Sequence, residues 1–182
     1  MNFLKGLFTK GRETSGEIPR EGGLKITDIN FSCFAMMGEG AKKLECQDSI
    51  GIYDNYGPNF YFFCVFDGHG SSGKEASSMA SDLVSSYIEK RHKEITNFKT
   101  DESRINFLKN IFRYTENVFF CPKNQGLKKS DIDMTMSGTT CISCFIQDGT
   151  CYCSNVGDSR AILGRFTKDK KFAIELSRDH KP

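Results

Sequence analysis

An α+β fold, a mostly antiparallel sheet with helices packed on one face, is what this sequence predicts, and three observations carry the expectation. Short apolar runs bounded by turn residues occur on both sides of a central region. Two segments in that region repeat apolar residues at helical spacing, and an Asp148-Gly149 pair separates two strand-like runs. A chain of 182 residues suits one domain of ordinary size and can bury a core without disulfide staples.

Residues 1–24 mix Gly, charge and a few apolar side chains and read as a flexible tail, with the domain over 25–182. Ile26–Ile29 and Phe31–Met36 read as one or two strands, followed by a Gly-flanked loop from Gly38. Asp48–Tyr53 is strand-like, and 54–59 is turn-rich. Phe60–Phe66 is an unbroken apolar run of seven, the pattern of a strand covered on both faces. The run stops at Asp67-Gly68-His69-Gly70, and a strand buried on both sides does not carry a charge in its middle. Asp67 therefore belongs at the strand's mouth. Ala76, Met79/Ala80, Leu83/Val84 and Tyr87/Ile88 recur at i, i+3/4, i+7/8, the stripe of one helix. Ile105, Leu108, Ile111/Phe112 and Val118/Phe119 repeat it over 103–120, placing both helices on one layer. After a polar loop over 124–137, strands are expected at Thr139–Ile146 and Thr150–Ser154, joined by the Asp-Gly turn, then at Arg160–Phe166 and Phe172–Leu176.

A net charge of +2 argues against a dedicated nucleic-acid binder. No stretch approaches the roughly 20 apolar residues of a membrane span, none resembles a signal-peptide core, and Asn2 excludes N-myristoylation. The expectation is a soluble cytoplasmic or nuclear protein. Lys5, Lys10 and Arg12 leave open a weak association of the N-terminus with a membrane surface. Of eight cysteines, most lie in apolar segments, as reduced, buried and inert thiols do. Cys141, Cys144, Cys151 and Cys153 imitate a zinc-ligand string, but residues three apart on a strand face opposite ways. With Asp148-Gly149 as the turn, Cys144 falls opposite Cys153, and two ligands do not make a structural zinc site. A thiol phosphatase would need a cysteine five residues ahead of an arginine. Cys153 and Arg160 have six residues between them, including the anionic Asp158.

The acidic positions carry more. Asp48 begins a strand, Asp67 ends one, and Asp158 follows Gly157. Carboxylates at strand ends beside glycine fit hard divalent ions such as Mg²⁺, which take oxygen ligands and keep several waters. Two adjacent cations can share a carboxylate, clamp a phosphate and activate water, and a nearby His can protonate a leaving alkoxide. A strand-end Asp is equally a turn former or loop cap.

Four blocks then occur in order: Phe62-Phe-Cys-Val-Phe-Asp-Gly-His-Gly70, Ser137-Gly-Thr-Thr140, Asn155-Val-Gly-Asp-Ser-Arg-Ala161 and Ser177-Arg-Asp-His-Lys-Pro182. Over 26–182 the chain resembles the metal-dependent protein phosphatase (PPM, type 2C) family of serine/threonine phosphatases. The resemblance implies an antiparallel β-sandwich flanked by helix pairs, with metals at one edge. It implies Mg²⁺ or Mn²⁺ as cofactors, phosphoproteins as substrates, and hydrolysis of phosphoserine or phosphothreonine by a metal-bound hydroxide. Carried over by position, Asp67 would bridge two metals, the Gly68 carbonyl would ligate one, and Asp48 would hold a metal or its water. His69 would be the general acid, Asp158 would lie near a third metal position, and Lys43 would bind phosphate. Gly138, Thr139, Gly157 and Arg160 would be structural.

Three departures follow from the comparison. Lys43 stands where the family usually has arginine and offers a point charge instead of a fork. Gln47 stands where an acid is frequent and can hydrogen-bond a metal-bound water without adding charge. The sequence reaches Pro182 before the segments in which the family places two further metal-binding aspartates. The expectation is therefore an incomplete sandwich, weak or inactive as a catalyst and monomeric, with sheet edges open to aggregation or pairing. The alternative is a non-catalytic, phosphatase-like binding or regulatory module.

Overall fold

The computed structural model describes residues 7–8, 29–36, 45–54, 56, 59–120 and 135–180. Its elements are β1 (Leu7–Phe8), β2 (Asn30–Phe31), β3 (Asp48–Tyr53), β4 (Phe60–His69), α1 (Gly73–Ile95), α2 (Asp101–Phe120), β5 (Gly138–Thr139), β6 (Cys141–Gln147), β7 (Thr150–Val156), β8 (Ile162–Phe166) and β9 (Lys171–Glu175). A five-stranded antiparallel sheet runs β3-β4-β6-β7, with β5 pairing the end of β4. β1 pairs with β2 and β8 with β9, each as a two-stranded sheet. Antiparallel sheets and a helix pair are the α+β architecture expected.

Several boundaries differ from the sequence reading. Of Phe31–Met36 only Phe31 is strand, within Asn30–Phe31, and Ile29 is not, while 26–28 and the Gly38 loop lie outside the described residues. In the N-terminal tail, Leu7–Phe8 pairs with Asn30–Phe31, and the remainder of 1–24 is outside the described residues. β4 does not stop at Phe66 but continues through His69, because Gly68 and His69 find new partners in Thr139 and Gly138 after β6 ends its pairing at Val65. Nor is β4 equally covered on both sides. Phe60, Phe62, Cys64, Phe66 and Gly68 are buried, whereas Tyr61, Phe63, Val65 and Asp67 are half-buried. This period-two alternation marks one face turned to the helices. Thr139–Ile146 is interrupted at Thr140 and resumes as β6.

The helices form where apolar spacing places them and pack on one face. α1 lies on β3 and β4 and contacts α2. Its stripe of Ala76, Ala80, Leu83, Val84, Tyr87 and Ile88 is buried. On α2 the stripe is Arg104, Phe107, Leu108, Ile111 and Val118. Ile105, assigned to that stripe from spacing, is 42% exposed. Arg104 occupies the inward position because its guanidinium is engaged there through Nε and Nη2. It donates to Gln147 Oε1 at 2.8 Å, to the Phe98 carbonyl at 3.2 Å and to Asp148 at 2.8 Å. Between sheet and helices, Phe107 meets Phe62, Phe145, Tyr87 and Phe98 with ring centroids 5.6–6.5 Å apart. Such aromatic contacts contribute roughly 0.5–1.5 kcal/mol each beyond their buried area.

The Asp148-Gly149 turn forms as expected. Both residues have positive φ, 50° and 81°, as a two-residue hairpin of type I′ requires. Arg104 pins that turn to α2, and Gln147 Nε2 donates to the Ile95 carbonyl at the C-terminus of α1. Arg104→Met is expected to destabilise the chain by about 3 kcal/mol, because Gln147 and Phe98 would keep buried acceptors without a donor. Exchange of the exposed Arg91, paired with Glu94 at 2.9 Å, should cost less than about 1 kcal/mol. Urea denaturation of both variants checks the difference.

Burial also sets an alkaline limit. Desolvation pushes the Cys141 thiol up to about 12 and lifts Cys64 well above the ordinary thiol range. Tyr53 is likewise raised, by burial first and the neighbouring Cys64 second. As pH rises, the unfolded chain releases these protons before the folded one does. The stability they contribute is complete below about pH 9 and is lost between about 9 and 12. Urea midpoints should fall steadily across that window, and Cys141→Ala should reduce the slope.

Candidate active site

The site is built where the sheet runs out of apolar residues. β3 and β4 pair with Asp48 against Asp67, Ser49 against Phe66 and Ile50 against Val65. The Gly68 amide donates to the Gln47 carbonyl at 3.2 Å, which makes 47/68 the hydrogen-bonded pair and 48/67 the adjoining non-bonded one. In that geometry the Cα atoms are about 4.5 Å apart and the side chains leave on the same face. His69, two residues beyond Asp67, projects to that face as well. The face is the one turned away from α1, because Ser49 and Tyr53 on the other side of β3 bond Ser77 and the Ser81 carbonyl of α1.

The backbone at this rim is held by close packing of small residues. A Cβ on Gly68 would lie 2.0 Å from the Gly73 carbonyl oxygen, so only glycine lets the start of α1 approach β4 this closely. Gly70 has φ +86°, turning the chain from strand to helix. Ser77, fully buried, donates to the Gln47 carbonyl at 2.6 Å, and the Lys74 ammonium donates to the Asp48 carbonyl at 3.0 Å. From the other side, Thr140 grips Asp67 twice. Its amide donates to the Asp67 carbonyl at 2.9 Å, and its hydroxyl accepts from the Asp67 amide at 3.2 Å. The same hydroxyl lies 2.6 Å from Ser159 Oγ, which ties the loop carrying Asp158 to the backbone of Asp67.

Asp48, Asp67, Gly68 and His69 are thus gathered at one end of the β3–β4 pair. Asp158 is exposed on its neighbouring loop, and among the described residues no group of three or more His, Cys, Asp or Glu converges on one point. Lys43 lies outside the described residues. Gln47 donates from Nε2 to the Gly70 carbonyl at 2.9 Å, while its buried Oε1 has no hydrogen-bond partner. The donor set fits a hard divalent cation in part. Two carboxylates directly opposite one another offer oxygen donors of the kind such a cation takes. A carbonyl-lined glycine and an unpaired amide oxygen adjoin them. Gly157 has φ +105° and lies where a Cβ would come within 2.6 Å of Thr140. Arg160 holds Asp179 through two hydrogen bonds of 3.0 and 2.5 Å. Thr140, Ser77 and Lys74 were given no role from sequence. Only the Ser137-Gly-Thr-Thr140 block hinted at the first.

A surface cavity of about 400 Å³, lined by Tyr87, Lys90, Arg91, Lys93, Glu94 and Tyr114, lies elsewhere. Tyr87 is thirteen residues along α1 from Lys74, about 20 Å from the carboxylate rim.

A family profile described as protein phosphatase 2C matches residues 37–182. Among curated relatives, a probable protein phosphatase 2C 35 of Arabidopsis thaliana is 34% identical over 69% of this chain and 32% of its own length. The integrin-linked kinase-associated serine/threonine phosphatase 2C of Bos taurus is 30% identical over 66% of this chain and 31% of its own. Among solved structures, the serine-threonine phosphatase 2C from Toxoplasma gondii aligns with a TM-score of 0.55 at 23% identity. It covers 77% of this chain and 47% of that one. The Mycobacterium tuberculosis serine/threonine phosphatase PstP/Ppp gives 0.50 at 18% over 77% and 51%. The chain spans about a third of the length of these curated relatives and about half of the solved chains. With a profile matched over most of its residues and a fold shared with two solved phosphatases, the chain belongs to the protein phosphatase 2C family, a family that depends on metal ions.

Proposed function

We propose that these residues form part of the catalytic domain of a protein serine/threonine phosphatase that removes phosphate from phosphoserine or phosphothreonine with Mg²⁺ or Mn²⁺ bound. The observation that carries this reading is the register that sets Asp48 against Asp67 with His69 on the same face. Asp48 and Asp67 would hold the cations, with the Gly68 carbonyl as an added oxygen ligand. Cations bound there would supply charge neutralisation for the phosphate and lower the pKa of an attacking water. His69 delivers a proton from its ring to the seryl or threonyl oxygen as that oxygen leaves. Lys43 attracts the phosphate as a point charge, and Asp158 serves a further cation position. Phosphoproteins of the cytoplasm or nucleus are the proposed substrates. Unpaired thiols at all seven described cysteines support a reducing compartment.

Two cations would bring four positive charges against two carboxylates, so the 182 residues alone are expected to bind metal and turn over weakly. The lack of a third converging ligand among the described residues favours, as a second reading, a non-catalytic module that binds phosphopeptides or a partner. A manganese-dependent assay on a phosphothreonine peptide separates the two. Turnover that is abolished by chelator and by Asp67→Asn supports the enzyme. Binding of the peptide without turnover supports the module, and neither binding nor turnover refutes both. Within an active chain, His69→Ala should slow phosphopeptide hydrolysis by about 10²–10⁴-fold while sparing an activated aryl phosphate, whose leaving group needs no proton.

Metal binding has a readout independent of turnover. Added MnCl₂ should raise the thermal midpoint of the chain, because a ligand that binds only the folded state stabilises it. Asp48→Asn and Asp67→Asn should each weaken that response by at least about tenfold in affinity. An undiminished shift in both variants would remove the carboxylate pair from the site.

A further inference from the structure

The outer face of the β6–β7 hairpin carries three thiols that the phosphatase reading does not use. Cys144 is the Cα partner of Cys153, and Cys151 is the partner of Ile146 one pair nearer the turn. Residues directly opposite, or two apart on one strand, share a face. Cys144, Cys151 and Cys153 therefore cluster on one side, while Cys141 is buried on the other among the helix-facing core. Cys144 and Cys153 are half-buried and Cys151 is exposed, so small oxidants can reach the cluster. Zinc-type ligation is not the use of this group, since the described residues contain no cluster of three able to hold a metal.

The pairing geometry favours one bond. A two-residue turn closes on a hydrogen-bonded pair, here Gln147/Thr150. Bonded and non-bonded pairs then alternate back along the ladder, and Cys144/Cys153 falls on a non-bonded pair. Such pairs have Cα atoms about 4.5 Å apart with side chains drawn together, inside the range of about 4.4–6.8 Å that a disulfide spans. In a regular ladder a diagonal pair such as Cys144/Cys151 has Cα atoms about 7–8 Å apart, beyond that range. The neighbouring Cys151 first and Cys153 second, together with burial, push the Cys144 thiol up, whereas proximity to Cys144 draws Cys151 and Cys153 below the ordinary thiol range.

We propose that Cys144 and Cys153 form an oxidisable dithiol site, which hydrogen peroxide converts to a cross-strand disulfide. The Cys153 thiolate attacks one peroxide oxygen and breaks the O–O bond. Sulfenic acid forms on Cys153, and the departing hydroxide takes a proton to leave as water. The Cys144 sulfur then attacks the Cys153 sulfur and expels hydroxide, which combines with the Cys144 proton. Two thiols are oxidised, one peroxide is reduced, and two waters leave. Cys151 is not a partner in the bond.

The test treats the reduced 182-residue chain with hydrogen peroxide, blocks remaining thiols, and digests without reductant using a protease that cuts before aspartate. Residues 133–147 and 148–157 are then separate fragments carrying Cys141/Cys144 and Cys151/Cys153. The expected product is a joined pair of fragments, lighter than their sum by two hydrogens and separated by reductant. Fragmentation spectra should place the bond between Cys144 and Cys153. Cys144→Ser and Cys153→Ser should each abolish it, and Cys141→Ser and Cys151→Ser should each leave it. Absence of the joined fragments from the unsubstituted chain overturns the proposal without need of any variant. So does a bond that survives Cys144→Ser or Cys153→Ser, or one lost with Cys151→Ser.

Discussion

Everything at the site depends on the register of β3 against β4. Antiparallel pairing has a side-chain period of two, so a slip by one residue would send every side chain of one strand to the opposite face. Asp67 would then point toward α1, into a layer of Phe62, Phe66 and Ala80, and its partner across the ladder would be Gln47 or Ser49 instead of Asp48. The apolar alternation of β4 forbids that slip, because Phe60, Phe62 and Phe66 would have to exchange burial with half-exposed neighbours. Removing one such ring from the core would itself cost several kcal/mol. The carboxylate pair is thus positioned by the burial of phenylalanines on the opposite face of β4.

A second constraint joins the strand pair to the rest of the rim. β6 follows β4 only as far as Ile142 opposite Val65, and β5 takes over at Gly68. Thr140 occupies the break between them. Its side chain replaces a ladder hydrogen bond, accepting from the Asp67 amide while contacting Ser159. The interruption in the ladder is what brings the Gly157–Arg160 loop beside Asp67. An uninterrupted strand through Thr140 would have spent those groups on backbone pairing and left the loop unattached.

The parts legible in the sequence are those fixed by local patterns. Asp48–Tyr53, both helices and the Asp148-Gly149 turn follow from periodicity and from the positive φ that Asp and Gly tolerate. Cys144 opposite Cys153 then follows from counting back from that turn. What escaped depends on partners far along the chain. β4 extends to His69 because Gly138 and Thr139, some seventy residues later, pair with it. Ile105 yields the inward position to Arg104, since no hydrophobic stripe anticipates a guanidinium satisfied by a hairpin turn more than forty residues away. The burial expected of the cysteines holds for Cys64 and Cys141 but not for Cys33 or Cys151, which are exposed. At the site, Asp48 and Asp67 were visible as candidates. Their alignment was not, because the turn-rich 54–59 stretch is too long to set a hairpin register by itself.

The two ends of the sheet are stabilised by different means, and the contrast separates packing from chemistry. At the hairpin end, Arg104, Gln147 and the C-terminus of α1 form a buried polar clamp, backed by Phe107 and Phe145. At the rim, contacts are made by Gly68, Gly70, Gly73, Ser77, Thr140 and Gly157, whose identities follow from backbone approach: added atoms would collide, or hydroxyls would be lost from buried carbonyls. Steric necessity therefore accounts for most of the unusual composition of the rim. It does not account for Asp48, Asp67 and His69. Asp48 and Asp67 are half-buried and stand directly opposite each other on neighbouring strands. His69 is exposed at a strand end, where no core requires it. Residues whose identity packing leaves unexplained are where a ligand's chemistry can enter, and facing carboxylates are the oxygen donors that a hard divalent cation takes.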